Sequence, residues 1–146
     1  MNIDMRFSAE KVWEATLDVL AKPKQSVKFN RKSGRAYQPK DKTRYMELLT
    51  ALASVQKPDK LFEGPLMLVV TFALPFRKSE KKADLARRWM FHDVAPDEDN
   101  LNKPVKDAFR GVLYRDDGQI SRAVVTKIRA PNAWVRVVVL RLKYVE

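Results

Sequence analysis

Apolar residues along this chain recur with two different periods, and the periods sort it into helices and strands. Val12, Trp13, Thr16, Leu17 and Leu20 fall at helical spacing behind Ser8, a residue that caps helix starts, and predict an amino-terminal helix over about 8–21. Tyr45, Leu48, Leu49 and Leu52 predict a second helix over about 40–55 with those residues inward, ended by Lys57-Pro58. The stretch between them is polar, and Ser33-Gly34 marks a turn within a loop or short strand pair. Gly64-Pro65 opens an unbroken apolar run, Leu66–Leu74, which reads as a buried strand stopped by Pro75. Residues 76–95 are charged and fit a loop or short helix. Val105, Ala108, Phe109 and Val112 form the buried side of a third helix. Asn102 is its expected cap, with Lys103 and Pro104 in a first turn where a missing N–H costs little, and Gly111 at its end. After a turn at Asp116-Asp117-Gly118, strands are expected at about 119–129 and 134–144, joined around Pro131-Asn132. Val135, Val137 and Val139 alternate with Arg136, Val138 and Leu140, the pattern of a strand covered on both faces or nearly so. Helices and strands in this order predict an α+β fold, a mixed β-sheet packed with helices.

At 146 residues, without repeats or a long linker, the chain is expected to form a single domain over 1–146, the amino-terminal helix packed on it. The longest apolar run is about half of what a membrane span needs. The start lacks a charged-then-apolar signal region, which argues against secretion. No cysteine is present and only one histidine, so disulfides, thiolate metal sites and a zinc centre are disfavoured. Any metal would be held by oxygen, which favours Mg²⁺ or Mn²⁺. No Gly-rich phosphate loop occurs among the four glycines, so no nucleotide cofactor is expected.

Charge changes the picture. The formal net charge is +11, with a pI of about 10.0, which draws the chain toward phosphate backbones. Between Lys22 and Lys40 lie seven lysines and arginines and no acid, interleaved with Phe29 and Tyr37. A second basic block runs from Arg77 to Arg88. The DNA-binding candidates are Lys28, Arg31, Lys32 and Arg35 in the first block, and Lys78, Lys81, Lys82, Arg87 and Arg88 in the second.

Against this basic background stands Pro96-Asp97-Glu98-Asp99-Asn100-Leu101-Asn102-Lys103, with Asp117 fourteen residues beyond the lysine. In an extended segment Asp97 and Asp99 point the same way, and two ionised carboxylates side by side call for a cation. Asp117 supplies a third ligand if its turn folds back. Asp116, its neighbour, faces the other way. Hydrolysis of a phosphodiester needs such a cation, to neutralise phosphate oxygens and activate water. Lys103 is placed to steady the charge that develops on phosphate. Its plainer role is a surface ion pair with Asp107 one turn on. A lone D-x-D is usually a solvated loop; Asn100, Lys103 and the later Asp-Asp-x-Gln make this one specific.

Pro96 to Lys103, with Lys106-Asp-Ala-Phe-Arg-Gly-Val-Leu-Tyr-Arg-Asp-Asp-Gly-Gln-Ile120, resembles the RusA family of Holliday junction resolvases, whose pattern is roughly P-D-x-D-N-L-x-K, a D-A helix, then D-D-x-Q-[VI]. The likeness extends over about 66–127 and is weaker over 34–52. It implies a Mg²⁺-dependent endodeoxyribonuclease, with Mn²⁺ as a substitute, acting on branched DNA as a homodimer. The family's catalytic acids fall on Asp97, Asp99 and Asp117, and its lysine on Lys103. Asn100, Asp116 and Gln119 match the motif and are expected to orient backbone or the groups that surround the site. Symmetric cutting of a junction needs two active sites, and one chain offers one set of acids. A cytoplasmic, nucleoid-associated protein of bacterial or phage origin is expected, acting in recombination and repair. The rivals are a nuclease for flaps or other branched DNA, a non-catalytic DNA-binding architectural protein and an RNA-binding module. His92 has a structural reading as well as a phosphate contact, and Trp13 and Trp134 fit core packing better than base stacking.

Overall fold

The computed structural model describes residues 1–24, 28–37 and 40–146, with the side chains of residues 28, 29, 37, 41 and 42 outside that description. The amino-terminal helix expected over 8–21 is instead a strand, β1 (Phe7–Leu17). Trp13, Ala15, Leu17 and Val19 are buried, while Glu14, Thr16 and Asp18 between them are exposed. That period of two is the true signal; the helical reading leaned on Thr16 and Leu20, both of which face solvent. β1 lies antiparallel to β7 (Trp134–Tyr144) from Phe7↔Tyr144 to Leu17↔Val135, which pairs its backbone along its length.

Of the loop or short strand pair expected, the basic stretch forms the pair, β2 (Lys28–Phe29) with β3 (Ala36–Tyr37). Its turn is built on Asn30, whose side chain accepts from the Lys32 and Ser33 amides at 2.9 and 3.2 Å, and on Gly34 at φ 69°. Helix α1 (Lys40–Ser54) follows, burying Tyr45, Leu49 and Ala53; Leu48, expected inward, is 44% exposed. The chain continues through β4 (Leu66–Pro75), a short helix α2 (Lys82–Arg87), β5 (Met90–Phe91), α3 (Glu98–Phe109), a single 3-10 turn (Asp117–Gln119), β6 (Ile120–Ala130) and β7.

The sheet order is β1-β7-β4-β6-β5, mixed because β4 and β6 run parallel and the other pairs antiparallel. This is the α+β architecture expected from the sequence. Its core lies on one face, where Leu66, Leu68, Val70 and Phe72 of β4 and Val135, Val137 and Val139 of β7 meet α1 and α3. Trp13 bridges the layers: its ring meets Phe109 edge-on at 5.9 Å between centroids, and Nε1–H donates to Gln56 O at 2.9 Å. The Thr50 hydroxyl donates to Ala108 O at 3.1 Å and ties α1 to the end of α3. The opposite face differs from expectation. Val138 and Leu140 are only half-buried, and the register sets Val138 beside Val69 and Val69 beside the exposed Val124. Among the described residues no helix is long and apolar enough to cross a membrane.

Helix α3 starts five residues earlier than expected, with Asp97 rather than Asn102 at its cap; Asn102 is buried inside it. Pro104 therefore sits in the second turn, a position that usually weakens a helix by about 3 kcal/mol. Proline has no N–H for the carbonyl four residues back, which is that of Asn100. That carbonyl accepts instead from the Lys24 amide at 2.7 Å. The missing helical bond becomes a joint between α3 and the segment leading to the basic strand pair.

Candidate active site

The early helix start reshapes the acidic motif. Asp97 keeps extended backbone (φ −67°, ψ 150°), and its side chain makes no capping bond, so its carboxylate is free at the helix mouth. Asp99 is in the first turn, its Oδ1 accepting from the Asn100 amide at 3.0 Å. The two acids thus do not share one extended segment, as the spacing alone implied; one precedes the helix and one belongs to it.

From Asp99, residues Lys103 and Asp107 follow at intervals of four and lie along one stripe of α3. Lys103 is the hub of this stripe. Its ammonium is 3.1 Å from Asp107 Oδ1 and donates to Asp117 Oδ2 at 3.0 Å, so the ion pair one turn on and the contact with the distant turn exist together. Arg110 reaches the other Asp117 oxygen at 3.3 Å and Asp107 at 3.4 Å. The Lys103 hydrogen bond, helped by Arg110, holds the Asp117 carboxyl down at about 2, against an ordinary 3.8. In turn Asp117 and Asp107 raise the Lys103 ammonium above its usual value.

A carboxyl lowered in the folded state contributes stability that is complete above its unfolded value near 4 and is lost as pH falls toward 2. The melting-temperature difference between the native protein and Asp117→Asn is expected to shrink between pH 4 and pH 2. Scanning calorimetry of the pair measures it; a difference independent of pH would mean that Lys103 does not hold Asp117.

The turn that delivers Asp117 is tightly built. Asp116 accepts from the Gly118 amide at 3.1 Å and completes a capping box with Gln119. Gln119 Oε1 accepts from the Arg115 and Asp116 amides at 2.9 and 3.1 Å, and its Nε2 donates to Phe62 O and Gly64 O at 2.9 and 3.2 Å. Every polar valence of that amide is used on backbone, the orienting role the motif implied. Tyr114, buried just before the turn, donates its hydroxyl to Lys106 O at 2.7 Å and pins the turn to α3.

Asp97, Asp99 and Asp117 are hard oxygen donors, the set that suits Mg²⁺ or Mn²⁺ and suits zinc or copper poorly. Among the described residues no three acidic or histidine side chains converge as a ready-made cation cage. Asp117 meets cationic side chains here, and Asp97 and Asp99 are solvent-facing. The donor chemistry fits a hard divalent ion; Lys103 and Arg110 lie beside Asp117.

The DNA-binding candidates fall on the β2–β3 pair and around α2. Arg31, Lys32 and Arg35 are exposed at the strand-pair turn, while the Lys28 side chain lies outside the described residues. Lys78, Lys81, Lys82 and Arg88 are exposed around α2, whereas Arg87 is engaged with Asp84 and Trp89 O. His92 is structural: it is buried, with Nδ1 2.9 Å from Arg129 Nη1 and Nε2 2.8 Å from Ala95 O. A guanidinium only donates, so Nδ1 accepts and the ring proton sits on Nε2. Arg129 is itself buried beside Glu80, with Nε 3.0 Å from Oε1. Sequence reasoning missed Arg110, which the spacing of the α3 stripe would have offered.

Residues 18–140 match the family model described as Endodeoxyribonuclease RusA. The chain is also 32% identical over 104 residues to "Uncharacterized protein YqaN" of Bacillus subtilis (strain 168), covering 67% of this chain and 73% of that protein.

Proposed function

The chain belongs to the RusA endodeoxyribonuclease family, and we propose that it is a Mg²⁺-dependent nuclease that resolves four-way DNA junctions by paired symmetric cuts. The observation that carries this reading is the Lys103–Asp117 contact at 3.0 Å, which brings the distant acid onto the helix headed by Asp97 and Asp99. An architectural DNA-binding protein gains nothing from gathering acids where phosphate must dock.

In this reading Asp97, Asp99 and Asp117 hold Mg²⁺, with Mn²⁺ as a substitute, and the ion supplies charge neutralisation and an acidified water. Lys103 has three N–H donors, two of them directed at Asp107 and Asp117. The third is available to a non-bridging phosphate oxygen, where negative charge grows as the bond to the leaving oxygen breaks. Lys103, helped by Arg110, keeps Asp117 ionised; Gln119 ties its turn to the 62–64 segment and Tyr114 ties it to α3. The exposed cations on the β2–β3 turn and around α2 grip the DNA arms through phosphate, without reading sequence.

Two symmetric cuts require two copies of the site, so the working form is a homodimer. The half-exposed Val138, Val69 and Val124 on the open face of the sheet support self-association. Its setting is the cytoplasm, at the nucleoid, in recombination and repair of bacterial or phage DNA.

The test is incubation with an end-labelled four-way junction, a flap and a linear duplex, with and without Mg²⁺. Symmetry-related nicks on the junction alone, dependent on metal, are expected. Cutting of the flap in preference to the junction would replace this reading with a flap nuclease. Tight junction binding without any cutting under Mg²⁺ or Mn²⁺ would replace it with a DNA-binding protein.

A further inference from the structure

We propose that Lys127 is a positioning residue that sets Asp97 for metal capture. The inference deepens the active-site reading above and rests on it. Among the described residues Asp97 has no side-chain contact that fixes its place, and its main chain follows a non-helical segment, 92–96. That segment hangs from β6. The His92 amide donates to Lys127 O at 3.0 Å, and the Lys127 ammonium donates to Val94 O at 2.9 Å and Pro96 O at 2.8 Å. His92 Nε2 takes the carbonyl between them, that of Ala95, at 2.8 Å. Three successive carbonyls are therefore held by two side chains anchored at the strand end.

The last of these bonds matters most for the site. Pro96 O belongs to the peptide group whose nitrogen is that of Asp97, so the Lys127 ammonium grips the plane from which Asp97 departs. Lys127 and Arg129 are two apart on β6 and point to the same side of the sheet. Arg129, beside Glu80, steadies His92, so both supports of the segment come from one strand face. Two of the three ammonium donors are committed to carbonyls, and Lys127 is half-buried, which suits it to holding backbone more than to contacting phosphate. β6 begins immediately after the Asp117 turn. One strand thus carries one acid at its start and, through Lys127, the support of another near its end, so the separation of Asp97 and Asp117 is set by a rigid element.

The test uses the full chain with Lys127→Met, which keeps the stem and removes the donors, and Lys127→Arg, which keeps donors. Mn²⁺ binding to the DNA-free protein, measured by calorimetry, is expected to weaken about 10- to 100-fold in Lys127→Met, and kcat under saturating Mg²⁺ to fall by a similar factor. Junction affinity in the absence of metal is expected to stay within about twofold, and Lys127→Arg to recover part of the metal affinity. Native metal affinity and rate in Lys127→Met would overturn the proposal. So would a loss of junction affinity as large as the loss of cutting, because Lys127 would then be a DNA contact. If Lys127→Met does not fold, Lys127→Gln, too short to reach both carbonyls, carries the same expectations. Asp97→Asn in parallel separates the two ideas: cutting that survives it sinks the site reading, whereas cutting lost there and intact in Lys127→Met sinks only this proposal.

Discussion

An Asp117→Asn variant is expected to hold four-way junction DNA as tightly as the native protein, or more tightly, and to cut it about a thousandfold more slowly. The rate loss follows from removing one of three hard anionic donors; a thousandfold corresponds to about 4 kcal/mol of transition-state stabilisation. Binding is spared because the lost group is an anion at the place where phosphate docks. Its removal lowers repulsion and leaves Lys103 and Arg110 with Asp107 as their one shared acid, more available to the backbone. Asp97→Asn is expected to behave alike in cutting, but with a smaller gain in affinity, since no cation is released from it. Single-turnover cleavage under Mg²⁺ beside junction titration in its absence measures both quantities. Native-rate cutting by either variant would remove that residue from the site.

Lys103→Ala is expected to lower the cleavage rate by about 100- to 1,000-fold while weakening junction binding far less, the mark of a group used in the transition state. The same substitution takes Asp117 out of its strongest interaction, so its carboxyl should return toward ordinary acidity. Stability should suffer little, because the ion pairs of Lys103 are partly solvated and such pairs are worth at most about 1 kcal/mol. Equal losses in cutting and binding would reduce Lys103 to a simple phosphate contact.

Much of this protein was legible in its sequence because several of its signals are local. The run Leu66–Leu74 is too apolar to be anything but buried, and β4 appears over Leu66–Pro75 as its composition dictates. Helix α1 and the last two strands lie within a residue or two of their expected bounds. What failed was the choice between periods where both were weakly present. Over 8–21 a helix and a strand each recruit Trp13 and Leu17, and only pairing with β7, more than a hundred residues away, decides for the strand. The start of α3 was misplaced because proline was read by its own preference for a first turn. The carbonyl it leaves free is satisfied from Lys24, a partner invisible to local reasoning. The site divides in the same way. The acids and Lys103 stand out as a motif, whereas Arg110 and Lys127 matter only through what folding brings to them.

The bond from Lys24 to Asn100 has a mechanical consequence. Lys24 is followed within four residues by the strand pair that presents Arg31, Lys32 and Arg35. If that arm grips DNA as proposed, tension on it passes down the covalent chain to a tether on the first turn of α3, between Asp99 and Lys103. A pull at the periphery is thus felt at the turn that bears the acids, and a proline that slackens its helix is what leaves the tether its point of attachment.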